Sequence, residues 1–586
     1  ILQSMKDDEL DTEAKEEIRK GGKAGRQEAH KLAIVALNQS FESKFVEAVA
    51  LALGLTACGG GEKKAEGKAA GGAVATLPAN KTTLVINNGT EVETLDPHKA
   101  SGVPEANVLR QLLEGLVVTG KDGKTAPGVA TSWENKEFKV WTFKLRDNAK
   151  WSNGDPVTAE DFVYSFRRVV DPKTASPYAS YLADNSVVNA QAIIDGKAKP
   201  ESLGVKAIDA HTLEVTLSDP VPYFVDTLVH TSVSPVHKAT VEKGGEKWTQ
   251  AGSFVGNGAY TLKEWVVNSK LVVERNKNYW NDAATQINQA EFLPIQEETT
   301  DVNRFKAGEI DITHNALPTD MFASLKTELG DQVKVNPYLC TYYYEFNTKK
   351  APFDNPKVRR ALSLALDRDV ITEKVMQQGQ TSAYGFTPPY ANSFKANKPE
   401  WQGWSKEQRI AEAKKLLNEA GYSDAKPLDV TLLYNTSENH KKVAVAATAL
   451  WKQALGFVNV NLDNKEWKTF LDSRRSGNYQ FARAGWCADY NEPSSFLNIL
   501  KSKNTNNYGR YASAEFDALM AKTLVPGTTE EQRADLYQQA EAQADKDMPV
   551  IPIYHYVSPR LVKPYVQGLS TDPLDNFYFK DMSFKK

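Results

Sequence analysis

Strand-like runs alternate with helical stretches from residue 83 to the C-terminus, and this alternation most restricts what the chain can fold into. Apolar or β-branched runs typical of strands lie at 83–87, 141–145, 212–217, 271–275, 338–346, 428–434 and 458–462. Apolar residues recur three and four positions apart, as in helices, at 161–170, 356–367, 407–420 and 440–455. Because no glycine-rich phosphate loop accompanies them, the pattern predicts an α/β or mixed α+β fold without a nucleotide site.

The length and charge of the chain limit its organisation further. With 586 residues the chain is too long for one ordinary core, so two or three lobes are expected. The formal net charge is −3 and the basic residues form no stripe, which argues against a nucleic-acid-binding protein. The eight histidines have no metal-ligand spacing, so we predict neither a metal nor a cofactor.

The first eighty residues do not resemble a folded domain. Cys58 follows an apolar run at 49–55 and precedes two glycines, a pattern that looks like the lipobox of an acylated bacterial lipoprotein. The apolar run is too short to span a bilayer and suits the core of an export signal. However, more than forty largely charged residues precede it. We therefore interpret 1–57 as a signal-like or extraneous segment (an upstream extension, a fusion or a mis-assigned start) and 58–80 as a flexible tether.

Residues 481–493, Phe-Ala-Arg-Ala-Gly-Trp-Cys-Ala-Asp-Tyr-Asn-Glu-Pro, are the strongest candidate for a functional segment. In a structural interpretation Trp486 is core, Asp489 or Asn491 caps a following helix, and Arg483 is a salt-bridge partner. In a functional interpretation Asp489, held beside Trp486 in a cleft, receives the ammonium group of a ligand. A buried charge is tolerated only when it is paired, so such a site would select cationic amines.

This segment resembles the ligand-site segment of the bacterial oligopeptide-binding proteins that serve ABC peptide importers. In that family the aspartate at the place of Asp489 binds the α-amino group of the peptide. The resemblance runs in family order from about residue 83 to the C-terminus. It is carried by Leu95-Asp-Pro-His-Lys99, Gly102-Val-Pro-Glu105, Trp141-Thr-Phe143, Ala149-Lys-Trp-Ser152, Ser176-Pro-Tyr-Ala-Ser-Tyr-Leu182, Gly256-Asn-Gly-Ala-Tyr260, Cys340-Thr-Tyr-Tyr-Tyr-Glu345 and Arg560-Leu-Val-Lys-Pro-Tyr565.

The resemblance implies a periplasmic-binding-protein-like type II fold of mixed α and β structure, with three lobes around a hinged cleft. The implied ranges are 81–113, 239–339 and 557–586 for lobe I, 114–238 for lobe II and 340–556 for lobe III. The strands that cross between lobes would flex as the hinge. The resemblance also implies a disulfide between Cys340 and Cys487, whereas the residues alone leave two buried thiols as the alternative.

The resemblance assigns residues to the ligand cleft as well. Arg474, Arg483 and His440 match positions that face the ligand's C-terminal carboxylate or line that end of the cleft, although His440 alone reads as a helix-capping or surface residue. The other cleft residues that we predict are Val103, Tyr178, Asn315, Glu345, Met376, Trp467, Trp486, Cys487, Asp489 and His555. Without the resemblance, we would interpret the aromatic residues among them as ordinary core residues.

Three positions depart from the family pattern. Met376 stands where relatives have a lysine, Ser101 where they have a glutamate, and His555 where they have a tyrosine. These changes reduce the charge pairing around the far end of the ligand, while the amine end is intact. We therefore expect recognition of the N-terminus to be kept and the preferred peptide length to shift.

The function implied by the resemblance is that of a solute-binding component of an ABC importer. It would capture extended oligopeptides by their free amine and deliver them to a membrane permease with its ATPases, in the periplasm or cell envelope, as a monomer anchored at most through Cys58. Murein-derived peptides and dipeptides are alternative ligands, and a surface lipoprotein for adhesion or signalling is the alternative of another class. Nickel and haem are disfavoured, because Asp489 calls for a free amine.

An enzyme is the remaining rival class. The sequence contains neither His-Glu-x-x-His nor Gly-x-Ser-x-Gly. Cys487 beside His440 or His555 is the one candidate nucleophile, and a disulfide to Cys340 would abolish it. We predict that the chain is not an enzyme.

Overall fold

The structure is a computed structural model that describes residues 77–585. The predicted signal-like segment, Cys58 and most of the predicted tether lie outside the described residues. The described part mixes helices and strands throughout, which confirms the predicted fold class. Within it, no helix is both long and apolar enough to cross a membrane.

The elements follow the chain in the order predicted by the apolar periodicity. The strands are β1 (Thr83–Asn87), β2 (Val117–Thr119), β3 (Thr125–Pro127), β4 (Ala130–Lys136), β5 (Val140–Leu145), β6 (Val205–Asp209), β7 (Thr212–Thr216), β8 (Tyr260–Val266), β9 (Lys270–Arg275), β10 (Gln289–Leu293), β11 (Val333–Phe346), β12 (Thr381–Ser382), β13 (Leu428–Asn435), β14 (Val458–Lys465), β15 (Phe481–Cys487), β16 (Val550–Leu561), β17 (Val566–Gln567) and β18 (Ser583–Phe584). The helices of eight or more residues are α1 (Val103–Leu112), α2 (Ala159–Val170), α3 (Glu298–Lys306), α4 (Phe322–Leu329), α5 (Pro356–Ala365), α6 (Lys406–Glu419), α7 (Glu438–Leu455), α8 (Trp467–Ser476), α9 (Ala514–Lys522) and α10 (Glu530–Asp547). Shorter helices span Tyr181–Asp184, Ala190–Ile194, Phe224–Thr227, Lys238–Gly244, Arg368–Val370, Ile371–Met376 (a π-helix) and Ser494–Leu497.

Three larger sheets carry the fold. One has the strand order β1-β10-β9-β8 and a second the order β4-β5-β7-β6. The third has six strands in the order β12-β16-β11-β15-β13-β14. The first sheet takes its strands from the ranges predicted for lobe I, the second from that of lobe II, and the third is built mainly from that of lobe III.

The parallel pair β13 and β14 shows how apolar spacing determines the local fold. The two strands are joined by α7, as a parallel connection requires. Val443, Ala447, Trp451 and Leu455 recur every four residues along α7 and are buried against the sheet. A glycine with positive φ, Gly456, ends the helix.

The hydrophobic core divides the molecule into two sides. Buried residues of the predicted lobes I and II form one continuous cluster, which extends from Leu84 and Phe292 to Phe162 and Val215. The predicted lobe III has separate clusters, one of them around Trp451. The ranges predicted for lobes I and II therefore share one core on one side of the molecule, and the range predicted for lobe III has its own clusters on the other.

Strands β11 and β16 connect the two sides. They pair antiparallel from Val333 and Leu561 to Glu345 and Val550, with an irregularity in register between Pro337 and Thr341. Leu561 is buried in a cluster with residues of α3 and α4, so one end of the pair belongs to the lobe I core. The boundaries predicted at 339/340 and 556/557 thus fall within two continuous strands rather than in loops.

Candidate ligand-binding cleft

A cavity of about 260 Å³ lies between the two sides of the molecule. Two other cavities have only about 20 Å³ each, which is room for roughly one water molecule. Residues from all three predicted lobes line the large cavity, among them Arg110, His230 and Asp489. A large cavity at the meeting of lobes is the usual position of a ligand site.

Most of the residues assigned to the cleft from the sequence line this cavity. They are Val103, Tyr178, Asn315, Met376, His440, Trp467, Arg474, Arg483, Trp486, Cys487 and Asp489. Ser101 also lines it, whereas Glu345 and His555 do not. The structure therefore brings together residues up to 386 positions apart in the chain, from Val103 to Asp489.

Asp489 lies two residues past the end of β15, and its side chain is 8% exposed, with one carboxylate oxygen accepting a hydrogen bond. The Tyr178 hydroxyl donates to Oδ1 over 3.2 Å, and His230 Nε2 lies 3.3 Å from the same oxygen. The backbone N–H of Ser232 donates to His230 Nδ1, so the imidazole proton is on Nε2, which contacts Asp489 without forming a hydrogen bond. Asp489 Oδ2 accepts no hydrogen bond within the described part of the chain, which leaves it free for a ligand.

The charges around Asp489 favour a cationic partner. Burial raises the pKa of Asp489 to about 8, although the hydrogen bond from Tyr178 and the charge of Arg110 act in the opposite direction. Burial lowers the pKa of His230 to about 3, so this imidazole is neutral and does not compensate the carboxylate. An ammonium group at Oδ2 would stabilise the ionised form of Asp489.

In segment 481–493 Trp486 packs against the core, as the structural interpretation expected, but neither Asp489 nor Asn491 caps the following helix. The side chain of Glu492, not that of Asp489 or Asn491, accepts from the backbone N–H of Ser494 at the start of the short helix. Trp486 donates its indole N–H to the carbonyl of Ser495 and stacks near Tyr178, with ring centroids 6.3 Å apart. The segment therefore keeps the Asp489 carboxylate available to the cavity.

Arg483 has no carboxylate partner within residues 77–585. Its guanidinium donates to Asn435 Oδ1 over 3.0 Å and to the Tyr556 hydroxyl over 2.6 Å, and it lies over the ring of Tyr342. A Cβ on Gly485 would come within 3.0 Å of the Arg483 Nη2 atom, so glycine leaves room beside it. A buried guanidinium of this kind can pair a carboxylate of the ligand.

Arg474 is paired inside the protein, which corrects the assignment of Glu345 as a cleft residue. Glu345 lies on β11 behind the cavity lining, and its carboxylate accepts from Arg474 Nε and Nη2 over 3.2 Å each. The Tyr479 hydroxyl also donates to Glu345, over 2.8 Å. Glu345 therefore holds Arg474 in the wall of the cleft instead of facing the ligand.

His555 is likewise behind the wall, and this corrects its assignment as a cleft residue. Its Nδ1 lies 3.0 Å from the hydroxyl of Thr341 on β11. Successive side chains of a strand point to opposite faces, so the neighbours Tyr554 and Tyr556 line the cavity instead. Burial lowers the pKa of His555 to about 3.

Several lining residues had no marker in the sequence. Arg110 and His230 lie far along the chain from segment 481–493, and His314 occupies a loop next to Asn315. Burial lowers the pKa of His314 to about 3 and that of His440 well below its ordinary value, so both imidazoles are neutral. His440 is thus a half-buried residue of the cleft lining, and it also donates its backbone N–H to the Ser437 hydroxyl.

Two helix N-termini meet across the cleft and cap each other. Glu298 at the start of α3 accepts from the backbone N–H of Glu438 over 2.9 Å. Glu438 at the start of α7 accepts in return from the backbone N–H of Thr299 over 2.8 Å. Each acid thus satisfies a free N–H of the other helix and opposes its positive end.

A disulfide joins Cys340 to Cys487, as the resemblance implied. The two residues are direct partners in the register of β11 and β15. The bridge fixes the end of β15 two residues before Asp489. Because its sulfur is in the bridge, Cys487 cannot serve as a thiol nucleophile.

The fold and the cleft together define a solute-binding protein. Residues 124–508, more than half of the chain, match the family described as bacterial extracellular solute-binding proteins, family 5 Middle. The chain belongs to this family, which is a family of binding proteins and not of enzymes.

Particular relatives are much closer. The chain is 59% identical to the periplasmic oligopeptide-binding protein OppA of Escherichia coli (strain K12) over 509 residues, 87% of this chain and 93% of that protein. The structure superposes on Haemophilus influenzae OppA in complex with RPPGFSPFR with a TM-score of 0.85, at 52% identity, over 86% of this chain and 99% of that one. These similarities confirm the type II periplasmic-binding-protein-like fold.

A comparison with one relative in two structures indicates the state of the cleft. The structure of the E. coli murein tripeptide binding protein MppA has a TM-score of 0.85 to this chain, at 46% identity, covering 87% of this chain and 99% of that one. The unliganded open form of MppA has a TM-score of only 0.61, over 86% of this chain and 98% of that one. The described structure therefore differs from this open form and matches the peptide complex of H. influenzae OppA more closely, and we refer to its arrangement as closed.

Proposed function

We propose that this chain is the peptide-binding component of an ABC importer and that it captures extended oligopeptides by their free N-terminal amine. The observation that carries the proposal is the environment of Asp489. Its side chain is buried in the cavity lining, Oδ1 accepts a hydrogen bond from Tyr178 and lies 3.3 Å from His230 Nε2, and Oδ2 accepts no hydrogen bond from the described residues. A free ammonium group is the complement of such a site.

The backbone of β15 offers the general part of the binding. β13 pairs with β15 only at Phe481 and Ala482. Beyond Ala482 this edge of β15 has no partner strand within residues 77–585, and Gly485, Trp486 and Cys487 line the cavity there. An extended peptide that adds to a free strand edge is bound through its own amides, which are the same in every sequence. One cleft can therefore accept many peptides.

The far end of the ligand would meet Arg483 or Arg474. Arg483 is the better candidate for the C-terminal carboxylate of a short peptide, because Arg474 already pairs with Glu345. Met376, which lines the cavity, adds no positive charge. We infer that amine capture is retained while the preference for peptide length differs from that of relatives with a lysine at this position.

We infer the remaining steps from the family. The loaded carrier would deliver its peptide to a membrane permease with its ATPases, from the periplasm or cell envelope, and would act as a monomer that binds without catalysis. Acylation of Cys58 would attach it to a membrane. The similarity to MppA makes a murein-derived tripeptide with a free amine a second candidate ligand.

Isothermal titration calorimetry tests the proposal directly. Trialanine should bind, and N-acetyl-trialanine should bind at least a hundredfold more weakly, because acetylation leaves a buried carboxylate unpaired at a cost of about 3–5 kcal/mol. Asp489→Asn should weaken trialanine binding to a similar extent, whereas Asp535→Asn on the surface of α10 should not. Equal affinity for the free and acetylated peptides would contradict amine capture. A series from dipeptide to pentapeptide tests the length preference, and a flat series would contradict the inferred shift.

A further inference from the structure

Half of the charged side chains that line the cleft are balanced within the protein. Arg474 pairs with Glu345, as described above. Asp575 receives two hydrogen bonds from Arg560, over 2.7 and 2.6 Å. Glu298 accepts from the N-terminus of α7, and burial raises its pKa. These groups need no charged partner from a ligand.

Three charged groups of the cavity lining are not balanced in this way. Asp489 is the one acid and Arg483 is one of the two cations. The second cation is Arg110 in the last turn of α1, which lines the same cavity. A dipolar peptide would supply an ammonium group for Asp489 and a single carboxylate for Arg483. One positive charge of the cleft, on Arg110, would remain without a partner.

Arg110 is also poorly satisfied by hydrogen bonds. Among the described residues it makes one side-chain hydrogen bond, from Nη1 to the side-chain oxygen of Asn107 at 3.5 Å. Its Nε atom is buried and has no hydrogen-bond partner among the same residues. Within the described part of the chain no carboxylate lies within 4.0 Å of its guanidinium. Buried polar groups are normally paired, so this arrangement points to a partner that arrives with the ligand.

The position of Arg110 is at the amine end of the cleft. The helix that carries Arg110 packs against the turn Thr231–Val233, which directly follows His230. The charge of Arg110 also lowers the pKa of Asp489 and that of His230, as it does that of Asp572. A ligand group that pairs with Arg110 would therefore belong to one of the first residues of the peptide. A cation at the last turn of a helix also stabilises the helix dipole, but that role does not require the side chain to line a cavity.

We propose that Arg110 is a specificity residue that favours peptides carrying an acidic side chain in the first or second position. The inference rests on the proposed function, because it places the free amine at Asp489. A carboxylate there would take the Arg110 guanidinium as its partner and would balance the last unmatched charge of the cleft. The ligand best suited to the cleft then has one ammonium group and two carboxylates.

The test compares glutamate with glutamine in otherwise identical peptides. Alanine tripeptides with Glu or Gln at position 1, 2 or 3 are titrated into the full-length protein. For wild type we expect the Glu peptide to bind about tenfold tighter than its Gln counterpart at position 1 or 2, as for hydrogen bonds to charged groups. The ratio should fall to about one in Arg110→Gln and should be intermediate in Arg110→Lys, which keeps a point charge but loses the planar fork.

A matched control and a second readout keep the result interpretable. Arg304→Gln removes a surface arginine that pairs with Glu309, and it should leave the wild-type ratio unchanged. A wild-type ratio near one at positions 1 and 2, or an equal ratio in wild type and Arg110→Gln, would overturn the proposal. If Arg110 only screens Asp489, both peptides change by the same factor and the ratio stays constant, which also overturns it. N-acetylated peptides report separately on amine capture, so failure of that proposal is distinguishable.

Discussion

Closing of the empty cleft should become less favourable as the pH rises, because it buries the Asp489 carboxylate without a cation. In the closed structure burial raises the pKa of Asp489 from 3.8 to about 8. In an open cleft water reaches the carboxylate, and its pKa should be near the ordinary value of about 4. The closed form thus binds a proton that the open form releases between these two values.

The size of the effect follows from the two pKa values. The pKa of Asp489 is higher in the closed form, so its unfavourable effect is absent below about pH 4 and grows until about pH 8. One pKa unit corresponds to about 1.4 kcal/mol, so at pH 7 the ionised carboxylate opposes closing by about 4 kcal/mol, or three orders of magnitude in the ratio of closed to open molecules. A peptide ammonium removes this penalty, and so does Asp489→Asn.

Spin-label distances in the peptide-free protein measure this equilibrium. Lys206→Cys and Glu515→Cys place labels on exposed positions of the predicted lobes II and III, in a Cys58→Ser background. From pH 5 to pH 8 the short-distance population should fall in the otherwise wild-type protein and stay constant in Asp489→Asn. A wild-type population that does not respond to pH would refute the reasoning. The same response in the Asn variant would do so too, because it would assign the titration to another group.

Two further predictions concern the supports of the cleft. Glu298→Gln should weaken trialanine binding by about 1–2 kcal/mol, because it removes a charged cap from the N-terminus of α7. Calorimetry measures this loss, with Glu309→Gln as the control variant. Equal affinities of the two variants for trialanine would contradict the prediction. Replacing Cys340 and Cys487 together by serine should lower the free energy of unfolding by about 2–4 kcal/mol, because the bridge joins residues 147 positions apart. Denaturant titration of both proteins measures that loss, and unchanged midpoints with an unchanged slope would argue against it.

The sequence predicted those parts of the structure that depend on neighbouring residues. The capping box of α2 is formed by Thr158 and Asp161, three positions apart, and the structure contains it. Strand β1 has the predicted bounds, and α5 ends two residues earlier than predicted. Segment 481–493 was recognisable because Arg483, Trp486 and Asp489 lie close together in the chain.

The sequence could not predict features that depend on register or on distant contacts. Whether Tyr554 or His555 faces the cleft depends on the pairing of β16, since a shift of one residue exchanges the two faces. Glu345 lies on β11, and only the folded sheet shows that it faces Arg474 behind the cavity lining. His230 and Arg110 lie in the ranges predicted for lobes II and I and line the same cavity as Asp489, and their surroundings in the sequence contain no pattern that marks them.

Strands β11 and β16 connect the two sides of the molecule, and this has a consequence for recombination among carriers of this family. The segment between these two strands could be exchanged between two genes as a single cassette. Asp489 would travel with the cassette, whereas Tyr178 and His230, which contact its carboxylate, would stay with the other parent. A chimaera should therefore acquire the donor's selectivity for the C-terminal end of the peptide. It should bind the N-terminal amine only if the recipient protein has this tyrosine and histidine.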